Sequence, residues 1–316
     1  MNTIKFSKIN NTTTEMHNLE LQNIYEDTIF GKKIKLYHPC NLNIFVTELC
    51  QNNCDFCINK QTNESLNDLC NVLNTNLYCE SLEKILKEIA NKHFEITITG
   101  GEPTLDIEKF VKTMQLCKKY NIPCRTISTT GYQLMKNYDN KPLCQHMIDN
   151  GFIHNINISR MHWNETLNHN ILKGKNLTND EIQKLALFFK LNDAEMRISC
   201  NLILGYIDCF EKMLEYVDFY RNRNIETIMF RELIGKDPIL LKDILELNEE
   251  NGFHYLKTLD GFLYTVDVYQ YQDMLVKHYI TKKQFDKDVI FSFAFKNNLF
   301  MDNFTGKNIC IKMEGE

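Results

Sequence analysis

From Leu42 onward the chain alternates short runs of β-branched and aromatic residues with longer stretches in which apolar residues recur every three or four positions. The short runs predict strands at 42–47, 95–99, 124–129, 152–159, 196–204 and 226–231. The longer stretches predict helices at 81–91, 107–120, 178–191 and 210–222. Thr178 and Glu181 stand at capping-box spacing at the start of the third helix. Strand followed by helix, repeated through six units, is the pattern of a parallel α/β fold. Six units in series suggest a partial (β/α)6 TIM-like barrel more than a flat doubly wound sheet, a choice that periodicity alone does not decide.

The flanks read differently. Residues 1–38 form a polar lead-in whose pattern allows a short helix at 19–25. After about Pro238 the alternation lapses, and Asp260-Gly261 and Asn297-Asn298 sit between apolar-aromatic runs as hairpin turns do. The expected organisation is therefore an N-terminal extension at 1–38, a partial barrel at 39–237, and a β-rich extension at 238–316 that covers the substrate side. The chain carries no repeat and no low-complexity tract.

With 316 residues and 43% hydrophobic content the chain can bury a large core. Its formal net charge of -5 supplies no broad basic field, which argues against nucleic acid or an anionic membrane surface as partner. The N-terminus lacks the apolar core of a secretory signal, and no run approaches the ~20 apolar residues that span a bilayer. The expected location is the cytoplasm. There, 12 cysteines signify reduced thiols and metal ligation in preference to disulfides. Three of them crowd into eight residues.

Cys50, Cys54 and Cys57 lie in one loop directly after the first predicted strand. Three thiolates satisfy three irons of a cubane and leave the fourth open to chelate an amino and a carboxylate group. A zinc site is the competing reading, but zinc takes four ligands in paired spacings and no second Cys/His pair follows nearby. A chance grouping of buried cysteines is the other.

The Cys-x-x-x-Cys-x-x-Cys spacing, with aromatic Phe56 before the last cysteine, resembles the radical S-adenosylmethionine (SAM) superfamily. So does Gly100-Gly101-Glu102-Pro103, some 45 residues on at the end of the second predicted strand. The resemblance covers roughly residues 42–231 and is closest in look to the branch of the molybdenum-cofactor cyclase and viperin. It implies one 4Fe-4S cluster on Cys50, Cys54 and Cys57, with SAM bound by Phe56, Gly100, Gly101, Glu102 and Pro103. Softer matches add Thr129, Ser159, Asn168, Lys173 and Leu204 to the cofactor site. Lys173 stands where an Arg is expected, so it offers a point charge in place of a bidentate clamp.

What the resemblance implies about activity is reductive cleavage of SAM to a 5'-deoxyadenosyl radical that takes hydrogen from a small-molecule or peptide substrate. Electrons would come from a reductant such as flavodoxin or ferredoxin. Substrate contacts are expected where barrel strands end, with Arg160, His162, Arg231 and Glu232 as candidates. Arg231 and Glu232 could equally pair with each other, and packing suits His162 better than catalysis. Cys310 could return a hydrogen atom to a product radical. A second cluster would need Cys200, Cys209, Cys310 and another cysteine to converge. The alternative to an enzyme is a non-catalytic iron-sulfur protein for electron transfer or sensing. Replacing Glu102 is expected to matter only if SAM binds.

Overall fold

When helices cover one face of a sheet, alternate residues of every strand must face the other way, and this chain fills the two faces with different chemistry. The structure, a computed structural model, describes residues 24–57, 75–151, 155–233, 249–261, 264–282, 288–303 and 306–309. Strands β1 (Ile24–Ile29) and β2 (Lys32–Phe45) precede α1 (Thr75–Ile89). Then come β3 (Phe94–Thr99), α2 (Ile107–Lys119), β4 (Cys124–Thr129), and a small β5 (Asn137–Tyr138) and β6 (Lys141–Pro142) hairpin with α3 (Leu143–Asp149). They are followed by β7 (Asn155–Ser159), α4 (Glu165–Leu172), α5 (Asn179–Leu191), β8 (Glu195–Asn201), α6 (Phe210–Arg221) and β9 (Thr227–Arg231). The C-terminal part supplies β10 (Phe253–Asp260), β11 (Tyr264–Tyr271), β12 (Met274–Thr281), β13 (Val289–Lys296) and β14 (Leu299–Asp302).

In the main sheet β2, β3, β4, β7, β8 and β9 lie side by side in sequence order, all parallel, as expected of β/α units. The C-terminal strands lengthen this sheet at both edges. Strand β12 joins β9 in parallel and carries β11 and β10 outward as antiparallel neighbours, while β13 joins β2 in parallel and carries β14.

That arrangement dictates curvature. Laid flat, the sheet would put β12 and β13 seven strand spacings apart, about 34 Å. The eight residue steps from Thr281 to Val289 reach at most about 29 Å. The sheet must bend its two edges toward each other, and the result is a partial barrel, not a flat doubly wound sheet.

The convex face holds the core. Leu82, Ile85 and Leu86 of α1, Phe110 and Met114 of α2, and Tyr216 and Tyr220 of α6 pack with Ile96, Ile98, Ile127, Ile156, Ile198 and Phe230 of the strands, all fully or almost fully buried. At roughly 1.5–3 kcal/mol per buried large apolar side chain, this face alone can stabilise the domain. The concave face is thereby free to be polar. Register places Asn43, Thr97, Thr126, Asn155 and Glu195 on one row across it, with Asn157, Arg197 and Thr227 above. Ser159, Ser199, Met229 and Lys277 form the next row, and Asn201, Arg231 and Tyr279 the last.

Several expectations are met closely. Thr178 caps α5 with the complete capping box, Oγ accepting from Glu181 N and the Glu181 carboxylate accepting from Thr178 N. Asn297 and Asn298 both take positive φ in a two-residue turn between β13 and β14, and β10, which ends at Asp260, pairs antiparallel with β11. The lead-in differs from its expected form. Residues 24–29 and 32–38 are strand, because Phe30 and Gly31 make a tight positive-φ turn that pairs β1 with the first half of β2. Of the helix allowed at 19–25, Ile24 and Tyr25 are in β1 and the remainder lies outside the described residues. Strand β2 runs through the expected boundary at 38/39 into the barrel. Residues 152–154 of the fourth predicted strand are likewise outside the described part. Among the described residues no helix is long and apolar enough to cross a membrane.

Candidate active site

The parallel strands all end on the same side, and the loops that follow them meet there. The loop carrying Cys50, Cys54 and Cys57 leaves β2 and is gripped from three directions. From the end of β3, Gly101 N donates to Thr47 O and Glu102 N to Leu49 O, both at 2.8 Å. From the end of α4, Asn53 N donates to Leu172 O at 3.0 Å, and Lys173 Nζ donates to both Asp55 carboxylate oxygens at 2.6 Å. From β4 and the segment after α4, Gln51 Nε2 donates to Thr130 Oγ1 at 2.8 Å and Asn52 Nδ2 to Asn176 Oδ1 at 3.1 Å.

Glycine is required where the grip is closest. A Cβ at Gly101 would collide with the carbonyls of Glu48 and Leu49, and one at Gly174 with Gln51 O and Asn52 Oδ1. The glycines of the Gly100-Gly101 turn therefore let it approach the cysteine loop. Gly101→Ala is predicted to push the loop off its seat. Iron retention after anaerobic reconstitution should fall by about tenfold or more, as when a metal site loses its supporting contacts.

Glu102 is the other tie. It is 1% exposed, and its carboxylate accepts from Thr104 N and Oγ1, Thr129 Oγ1, and Thr130 N and Oγ1. It also caps the short turn Pro103–Leu105, in which Pro103 supplies the fixed φ of a first helical position. Thr129 Oγ1 further accepts from Gly131 N at 2.9 Å. Both side chains are thus engaged within the protein, joining the ends of β3 and β4.

The thiols suit a cluster. None of the three is in a disulfide; Cys50 is exposed and the other two are half-buried. Asn52 N donates to Cys50 Sγ at 3.4 Å, and Cys54 Sγ donates to Leu172 O at 3.5 Å. Among the described residues no group of three or more His, Cys, Asp or Glu side chains is arranged to hold a single metal ion. A cubane asks for something else, since each thiolate binds a different iron and the three need not converge on one point. Phe56 and Cys54 pack with Met161, Ile171, Leu172, Ile203 and Tyr206 in a small apolar cluster beside the loop.

The family model of the Radical SAM superfamily matches residues 44–219, more than half of the chain. The chain belongs to the radical SAM superfamily. The cofactors of this superfamily of enzymes, a 4Fe-4S cluster and SAM, are accordingly those of this chain, and Cys50, Cys54 and Cys57 are the residues present that fit the cluster.

Among solved structures, the chain is similar to SuiB of Streptococcus suis bound to S-adenosylmethionine, at 21% identity and a TM-score of 0.49, covering 64% of this chain and 42% of SuiB. It is similar to anSMEcpe with bound AdoMet at 20% identity and a TM-score of 0.48, covering 64% of this chain and 56% of that one. Methylornithine synthase (PylB) follows at 16% identity and a TM-score of 0.42, with 68% and 58% covered. The chain thus spans well under two thirds of the length of each. No curated protein matches it.

The remaining radical SAM candidates are distributed unevenly. Ser159 faces the concave side in the row of Ser199. Asn168 is buried, its Oδ1 accepting from Met161 N and His162 N, and its Nδ2 has no partner among the described residues. Lys173 takes a left-handed conformation at the end of α4, and its ammonium is held by Asp55 of the cysteine loop. Leu204 is 74% exposed, because the chain turns away after β8; Ile203 is the residue of that segment packed toward Phe56.

Arg160 corrects the expectation of a substrate contact. It is 2% exposed on the helix-covered side, donating to Tyr220 Oη, Leu177 O and Asn179 Oδ1. His162 stacks on Trp163, and burial with the nearby Arg160 and Lys212 charges lowers its pKa, in keeping with packing. Cys200 lies among the convex-face core, where burial pushes its thiol up, so it is not poised as a ligand of a second cluster. Cys310 lies outside the described residues.

Arg231 closes the last row of the concave face, its guanidinium carbon over the Tyr279 ring at 4.6 Å from the centroid. Glu232 is half-buried just beyond the strand end. Sequence reading missed Arg197, Tyr264 and Tyr279, although Glu195-Met-Arg197-Ile-Ser199-Cys-Asn201 shows strict polar alternation in a central strand. It also missed Gly174, Gln51 and Asn52, whose roles depend on loops distant in sequence.

Proposed function

We propose that this protein is a radical SAM enzyme acting on a small molecule or a peptide segment held in the concave face of its partial barrel. The observation that carries the reading is the cysteine loop, locked between the Gly100-Gly101-Glu102-Pro103 turn and the end of α4 at the mouth of a polar cavity. When bound, the cluster and SAM supply a 5'-deoxyadenosyl radical, which takes a hydrogen atom from substrate.

The chain's own residues then have three tasks. Cys50, Cys54 and Cys57 hold the cluster, and exposed Cys50 gives an electron donor of the flavodoxin or ferredoxin kind a short approach. The end of β3, fixed by Glu102, and the apolar cluster around Phe56 would hold SAM. The walls must keep water from a reactive radical and fix one C–H bond near it. Strands of the 238–316 extension contribute those walls at both edges of the sheet. A cluster of this kind suits the reducing cytoplasm.

The test is direct. Protein reconstituted and reduced with dithionite under anaerobic conditions should contain iron and sulfide near four per chain and convert SAM to 5'-deoxyadenosine. An intact cluster without 5'-deoxyadenosine would favour the electron-transfer alternative, and a zinc-saturated protein without iron would end the proposal.

A further inference from the structure

The charges on the concave face do not balance. Glu95 is paired with Arg125, and Glu195 lies 3.5 Å from Lys277. Burial pushes Glu195 up, but Lys277 and Arg197 outweigh it and hold the carboxyl low, so this acid is an anion already engaged. Two cations remain. Arg197 is 7% exposed, and its one hydrogen bond among the described residues runs from Nε to Asn157 Oδ1. Arg231 has no ion pair among the described residues, and its Nε is buried without an acceptor.

A guanidinium does not lose its proton, so a buried N–H left without an acceptor, as at Nε of half-buried Arg231, favours an incoming acceptor, an oxyanion most strongly. The surroundings of Arg231 orient it for one. Its guanidinium carbon lies over the ring of Tyr279, which is 5.3 Å from the ring of Tyr264, and Tyr264 is within electrostatic reach of Arg231, Arg197 and Glu95. A cation held against an aromatic ring keeps its N–H donors available to a planar or tetrahedral oxyanion. Arg231 also stands on β9, four strands and about 19 Å along the sheet from the turn after β3.

We propose that Arg231 anchors an anionic group, a carboxylate or a phosphate, of the substrate, with Tyr279 and Tyr264 as its aromatic wall and Arg197 adding positive field. This rests on the reading of the concave face as the substrate cavity. The protein selects an oxyanion-bearing substrate, and Arg231 sets its orientation before any hydrogen is removed.

The experiment uses reconstituted, anaerobic full-length protein and two probes, inorganic phosphate and succinate, each titrated by thermal shift against sodium chloride of equal ionic strength. One or both should stabilise the wild type saturably, and the better probe tells which oxyanion is preferred. Arg231→Gln should weaken that probe's apparent affinity about tenfold, a usual loss for one charge-assisted hydrogen-bonding partner. Arg231→Lys, which keeps the charge without the fork, should weaken it severalfold and serves if the Gln variant does not fold.

SAM affinity is measured in parallel by equilibrium binding. A tenfold rise in its Kd in Arg231→Gln, with the probe response retained, would place the arginine on the cofactor's own carboxylate and overturn the proposal. Equal probe affinity in wild type and variants, or no stabilisation of the wild type beyond chloride, would also overturn it. Because these signals do not depend on turnover, a failure to form 5'-deoxyadenosine is read separately.

Discussion

Cys54→Ala protein, reconstituted and reduced beside the wild type, will form 5'-deoxyadenosine from SAM at less than about one hundredth of the wild-type rate, since it has lost one of three cluster thiolates. The side chain can be removed without unseating the loop. Asn53 N still reaches Leu172 O, Lys173 still holds Asp55, and Gly101 N still reaches Thr47 O. Thermal unfolding of the unreconstituted variant should therefore stay close to that of the wild type, which separates loss of a ligand from loss of fold. A wild-type yield from the variant would remove the cluster from Cys54 and the proposed chemistry with it.

Glu102→Ala will lower the stability of the protein even with no cofactor present, by about 3 kcal/mol or more. Five donors from Thr104, Thr129 and Thr130 share its carboxylate in a buried position, and hydrogen bonds to a buried charged acceptor contribute about 1.5–3 kcal/mol each without adding fully. For a chain of this size the midpoint of thermal unfolding should fall by roughly 5 °C or more. Glu102→Gln should lie between, because its amide nitrogen must face an N–H or O–H that wants an acceptor. A variant that lost SAM affinity with its unfolding midpoint unchanged would mean that Glu102 serves the cofactor and not the strand ends. Replacing Glu102 thus cannot by itself discriminate a SAM enzyme from another iron-sulfur protein, as its sequence position suggested.

Much of the fold was legible. Strand β4 matches its expected span at 124–129, and β3, β8 and β9 differ only at their ends. These strands are short, centred on Ile, Thr or Phe, and separated by helices with clear three- and four-residue spacing, so local pattern and tertiary environment agree. The lead-in was misread because the turn at Phe30-Gly31 lacks the usual Asn-Gly or Asp-Gly signal, and the polar positions of β1 hide its alternation. The short α4 escaped notice for a related reason. Its eight residues give barely two turns of pattern, although Asn164 caps it by accepting from Leu167 N.

The site was legible where chemistry is written in contiguous residues. The cysteine spacing and the Gly-Gly-Glu-Pro turn could be read directly, since both act as short local segments. Arg160 shows the opposite. A cation at the end of a barrel strand looks like a substrate contact, yet one step in alternation turns it to the helix side, where Tyr220, Leu177 and Asn179 engage it.

By itself the sequence determined that the chain would build parallel β/α units, and that three thiols would stand in one loop at the strand ends. Periodicity and spacing are properties of neighbouring residues, so nothing distant is needed to read them. Only the tertiary structure decided that the sheet bends, that the glycine turn serves the cysteine loop, and that Arg197 and Arg231 stand together on the concave face. Those outcomes depend on which side chains from far-separated strands share a row, and charge balance in a cavity is a property of the assembled rows.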